Sequence, residues 1–78
     1  MAYGYSLRLL QLNAAADPSN LGVRLGKICI DMSIPVASVS KELGVSRQTV
    51  YYWFCGVYSP QNQTVNKIER YISLLELV

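Results

Sequence analysis

Apolar side chains recur along most of this chain at intervals of three and four residues, the repeat of a helix with one buried face. Val36, Val39 and Leu43 share one such face, and Val50, Trp53 and Phe54 share another just beyond it. Between the two groups stands Leu43-Gly44-Val45-Ser46. Glycine suits the left-handed conformation that ends a helix and turns the chain sharply. A serine two residues later offers a side-chain oxygen to cap the next helix. The stretch from Val36 to Cys55, VASVSKELGVSRQTVYYWFC, is therefore expected to form two short helices around a tight turn.

The flanking segments carry the same repeat. Leu21, Leu25, Ile28, Cys29 and Met32 predict a helix from about residue 21 to Met32, opened by Asn20 or Ser19 after the break at Asp17-Pro18. Gly22 and Gly26 lie four apart on one side of it. Each weakens a helix by ~1 kcal/mol relative to alanine, so another segment is expected to approach closely there, with the N-terminal helix as the candidate. Val23 and Ile30 lie off the main stripe and point to a second packed face. Upstream, Ser6 is placed to cap a helix through Asn13 with Leu7, Leu10 and Ala14 on one side. Tyr5, Leu7 and Leu9 also alternate, as in a strand, but the run Ala14-Ala15-Ala16 favours helix. Residues 1–5 read as an irregular arm, either a frayed end or a segment that would contact DNA. After the stop at Cys55-Gly56 and a loop through Pro60, a last helix is expected over about residues 61–77. Val65, Ile68, Tyr71, Ile72 and Leu75 form its stripe, widened by Leu74, Leu77 and Val78. The sum is an all-α, compact bundle of about five helices in a single domain, 1–78.

Composition narrows the function. The chain has 78 residues, 51% of them hydrophobic, and a net charge of +2. So short a chain buries a small core, yet it is more apolar than a small solvated monomer needs, which points to a partner surface such as a second copy. The weak positive charge allows few phosphate contacts and only a moderate salt dependence if nucleic acid is bound. Cys29 and Cys55 form no CxxC pair and there is no histidine, so no metal site is expected. Nor is any cofactor or small-molecule ligand. With no histidine, paired acidic cluster or glycine-rich phosphate loop, no enzymatic activity is expected either. No signal peptide and no membrane span are read in the chain, so a cytoplasmic protein with reduced cysteines is expected.

The Val36–Cys55 stretch resembles the helix-turn-helix of the lambda-repressor-like (Cro/CI) family. Val39, Leu43, Gly44, Val45, Ser46, Val50 and Trp53 carry the resemblance, and Gly56 to Pro60 is close to the family's spacing after the second helix. More loosely the likeness extends over residues 21–75. Ser40 departs from the alanine usual where the two helices touch, and its hydroxyl needs a partner such as a carbonyl one turn back. Ala37 stands where many relatives have a glutamine that reaches a phosphate, and Pro35 where they place a capping serine or threonine.

The resemblance implies a helix lying in a DNA major groove. Arg47 and Gln48, at its start, become candidates for base contact, arginine to guanine and glutamine to adenine; otherwise they only solvate a first turn. Tyr51 and Tyr52 point about 100° apart. Each is a candidate for base contact or for packing on a neighbouring helix. Ser46, Thr49, Lys41, Lys27 and Tyr58 are candidate phosphate contacts. Tyr71, Leu74, Leu75 and Val78 are candidates for a dimer interface, with Val65, Ile68 and Ile72 turned inward; the same stripe also serves a monomer's own core. Trp53 and Phe54 read as core.

The implied function is a sequence-specific double-stranded DNA-binding transcriptional regulator, with repression the expected mode. It would act as a homodimer in a bacterial cell or phage-infected host. The alternatives are a phage nucleoprotein assembly or recombination accessory protein, and a module that binds protein only.

Overall fold

A computed structural model describes residues 5–77. Five helices follow one another: α1 (Leu7–Ala15), α2 (Leu21–Asp31), α3 (Val36–Leu43), α4 (Arg47–Cys55) and α5 (Asn62–Glu76). No strand occurs among the described residues. Short polar side chains begin three of the helices. Ser6 Oγ accepts from the Leu9 amide, Asn20 Oδ1 from Gly22, and Ser46 Oγ from Thr49. Each satisfies an amide that has no partner inside its helix. Pro35 opens α3 without a side-chain cap, its fixed φ already suited to a helix start.

The core gathers around α4, which packs against α1, α2 and α3, while α5 closes the bundle against α2 and α3. Phe54, Leu25, Ile68, Val23, Val39, Val50 and Cys29 are fully buried. The α2–α4 crossing is the closest that the glycines record. A Cβ on Gly22 would lie 2.7 Å from Trp53 Cβ, and one on Gly26 2.9 Å from Phe54 Cγ and 2.6 Å from Asn13 Nδ2. The approach expected from the N-terminal helix is thus made chiefly by α4, and of the two glycines only Gly26 also lies against α1. Val23, off the main α2 stripe, is buried on the second face as its position implied.

Two expectations about faces are corrected. Leu7 is 71% exposed; α1 buries Leu9 and Asn13, which stand one turn apart. Asn13 turns inward because its amide finds acceptors there, donating to Phe54 O at 2.7 Å and Val23 O at 3.2 Å. Met32 is 39% exposed rather than core, because the helix ends at Asp31 and the chain swings away. Ser33 takes the left-handed conformation, φ 58°, and the Ile34 amide reaches back to Cys29 O at 2.8 Å.

Residues 1–4 of the expected N-terminal arm lie outside the described residues. Tyr5, the arm's last residue, packs on the core. Its ring stacks on Phe54 at 6.2 Å and its hydroxyl donates to Ile34 O.

Candidate nucleic-acid interface

The α3–α4 connection is three residues long. Gly44 is left-handed, φ 70°, and both its amide and that of Val45 bond Ser40 O. A Cβ at Gly44 would meet nothing within 4 Å, so the glycine is there for backbone conformation and not for space. Val45 packs partly into the core and anchors the turn from below. Ser40 is buried at the contact of the two helices, and its hydroxyl finds the expected carbonyl, donating to Ala37 O at 3.0 Å.

The turn delivers α4 with two chemically different faces. Val50, Trp53 and Phe54 are buried against the bundle. Arg47, Gln48 and Tyr51 are exposed, and Thr49 and Tyr52 are half-buried. Ser46 and Thr49 join at 2.9 Å between their hydroxyls, so both are partly committed to capping. The Gln48 side-chain nitrogen donates to the Tyr52 hydroxyl at 2.6 Å, across one turn of the helix. Tyr52 in turn meets Tyr58 edge-to-face, 5.1 Å between ring centres. This chain of contacts orients Gln48. One amide hydrogen is engaged, while the second hydrogen and the carbonyl oxygen remain available to a hydrogen-bonding partner.

The loop that supplies Tyr58 is itself held. Asn20, while capping α2, donates to Ser59 Oγ at 3.1 Å. Tyr58 and Ser59 then line a cleft of about 490 Å³ beside α4, together with Thr49 and Tyr52 and with Gln61 and Thr64 at the start of α5. The hydroxyls and amides here are neutral donors of the kind that meet phosphate oxygens. Ser59, Gln61 and Thr64 were not singled out from the sequence. They are ordinary loop residues there, and only the fold brings them beside α4.

The cations are distributed unevenly. Arg47 stands on the α4 front. Lys27 is not on that face: its ammonium donates to Asn13 O at 3.0 Å, closing the end of α1. Arg24 pairs with Glu76 at 3.6 Å, both side chains largely exposed. Lys41 lines a second cleft, between α3 and α5, with Lys67 and Arg70, and does not line the cleft beside α4. Of the residues proposed for a two-fold contact, Tyr71 and Leu75 are half-buried against the monomer's own core, whereas Leu74 is 58% exposed. Leu77, next to it, is 82% exposed, and Val78 lies outside the described residues.

Burial shifts the ionisable groups of the interior. Burial pushes the Cys29 thiol up to about 12 and raises the Tyr5 phenol further. Cys55 is raised more weakly by burial, with Arg8 acting against it. Among the described residues, no three His, Cys, Asp or Glu side chains gather in a way that could hold a metal ion. No helix among them is long and apolar enough to cross a membrane. Comparison with protein-family models, curated proteins and solved structures finds no match to this chain.

Proposed function

We propose that this chain is a sequence-specific double-stranded DNA-binding regulator. In this reading α3, the Gly44–Ser46 turn and α4 act as a helix-turn-helix, and α4 enters the major groove. The observation that supports it best is the Gln48–Tyr52–Tyr58 chain of contacts on an exposed helix face whose back is packed against three other helices. Holding base-reading groups on a rigid element limits the entropy lost on binding. Arg47 and Gln48 read base edges. Tyr51 contacts a base edge or sugar beside them. Ser46, Thr49 and Tyr58 contact phosphates, joined by Ser59, Gln61 and Thr64.

The weak charge of this face limits what one copy can do. A homodimer supplies two reading helices. The exposed Leu77 at the end of α5 offers apolar surface for the join, with the partly buried Leu75 beside it. The longest dimension of a copy, 30 Å, is close to the ~34 Å that separates successive major-groove faces on one side of a duplex. Two copies placed side by side would cover a palindrome, and occlusion of a promoter gives repression.

The test is a fluorescence-anisotropy titration of labelled duplexes at moderate salt, comparing the full chain with Arg47→Ala. Saturable binding that the substitution weakens supports the reading. Absence of any duplex binding refutes it and leaves the protein-binding alternative.

A further inference from the structure

Three of the chain's cations lie together away from α4. Lys41 on α3 and Lys67 and Arg70 on α5 converge on a cleft of about 360 Å³, whose floor is Leu43, Tyr71 and Leu74. Glu42 is the one acidic residue in its lining. Among the described residues, none of the three cations has a carboxylate within ion-pair distance. Lys67 and Arg70 lie three apart on α5, where like charges repel mildly, and no acidic residue stands three or four positions from either. Three of the seven cations thus line one cleft with a single carboxylate and three apolar side chains.

Three occupants can be weighed by chemistry. A duplex is a poor fit, because no residue of α4 lines the cleft and its lining includes the apolar Leu43, Tyr71 and Leu74. A second copy joined two-fold across the cleft is also a poor fit, since such a contact sets a patch against itself and would oppose two sets of cations. An acidic segment with apolar side chains complements both the floor and the rim. We propose that the α3–α5 cleft docks an acidic, amphipathic segment of a partner protein. Its apolar side chains lie on Leu43, Tyr71 and Leu74, and its carboxylates pair with Lys41, Lys67 and Arg70. The site goes beyond DNA reading and does not depend on it. It would bring the partner to the regulator while α4 remains free.

The experiment titrates the isotope-labelled full chain with a synthetic peptide of three Glu-Leu-Leu-Glu repeats and follows the backbone amides by NMR. The expected result is saturable shifts confined to residues 41–44 and 67–74. Affinity should fall as salt rises and drop about tenfold in Lys67→Glu/Arg70→Glu. A peptide with Gln for every Glu should not bind. Circular dichroism checks that the double variant is folded, and Lys67→Gln/Arg70→Gln provides a milder second variant. Shifts located elsewhere, or equal binding of the Gln peptide, would overturn the proposal. So would shifts of the cleft amides by a random-sequence duplex, or by raising protein concentration alone. Failure of duplex binding at α4 leaves the peptide result intact, so the two readings fail separately.

Discussion

Asn13 donates its side-chain amide to Phe54 O at 2.7 Å, joining the N-terminal helix to the last turn of α4. Phe54 lies in that last turn, where a carbonyl has no acceptor role left inside its own helix. The same amide also reaches Val23 O on α2, and Lys27 holds the backbone carbonyl of Asn13 from the other side. One buried side chain therefore ties three helices together, and α4 owes its position to a residue forty-one places upstream.

Replacing Asn13 with alanine removes these donors and leaves Phe54 O buried without a partner. The expected loss is ~1–3 kcal/mol of stability, the cost of an unsatisfied buried polar group. Urea unfolding followed by Trp53 fluorescence measures it. A loss near zero would mean that the three-helix tie is not needed.

Gly22→Ala separates helix propensity from packing. Alanine favours a helix by ~1 kcal/mol over glycine. The added Cβ, however, would lie 2.7 Å from Trp53 Cβ and 2.9 Å from Trp53 O, and the backbone carbonyl has little room to yield. Overpacking of this kind costs ~1–3 kcal/mol, so a net loss is expected. A thermal melt with an unchanged or raised midpoint would contradict the close α2–α4 crossing.

Much of this arrangement was legible in the sequence, and the limits have a physical cause. Leu43-Gly44-Val45-Ser46 could be read because a left-handed stop and a serine cap are local, requiring only neighbours in the chain. The α5 stripe was equally plain, because Ile68 and Ile72 are one turn apart on a long helix. Leu7 misled because Leu7, Leu9, Leu10 and Leu12 offer two faces, and what decides between them is the acceptor pair that draws Asn13 inward. Gly22 and Gly26 announced a close neighbour but not which one, since small residues carry no mark of their partner. The place of Arg47, Gln48, Tyr51 and Tyr52 on the outer side of α4 follows from their position after the turn. The bond between Gln48 and Tyr52 depends on rotamers, and the meeting of Lys41 with Lys67 and Arg70 depends on the tertiary fold.

Stability should decline in alkali. Cys29 is raised from its ordinary 9.0 to about 12 by burial, and Tyr5 is raised in the same direction. Both folded-state values exceed the unfolded ones, so the folded chain holds more protons above about pH 9. The contribution is therefore complete below that pH and is lost as pH rises through the raised Cys29 value. For Cys29 the slope is at most ~1.4 kcal/mol per pH unit. Urea midpoints measured from neutral pH upward should stay level and then fall, and Cys29→Ala should fall less steeply. A level profile to about pH 11 would contradict the burial argument.

Tyr52→Phe tests the orientation of Gln48. The substitution keeps the ring against Tyr58 and removes only the oxygen that Gln48 bonds. Stability should change by less than ~0.5 kcal/mol, as for a surface site. If Gln48 reads a base pair as proposed, discrimination there should fall by up to ~1 kcal/mol, part of what a bidentate contact provides. Competition binding with single-base variants of a bound duplex measures this. Equal discrimination by both proteins would show that Tyr52 does not position Gln48.

The proposed reading of DNA by α4 is tested most directly by selecting bound duplexes from a random library with the purified full chain and sequencing them. The expected result is an enriched palindrome with half-sites about one helical turn apart. Arg47→Ala and Gln48→Ala should each erase the preference at a particular base pair in both half-sites. No enrichment over the starting library, or uniform weakening with the preference unchanged in both variants, would contradict it.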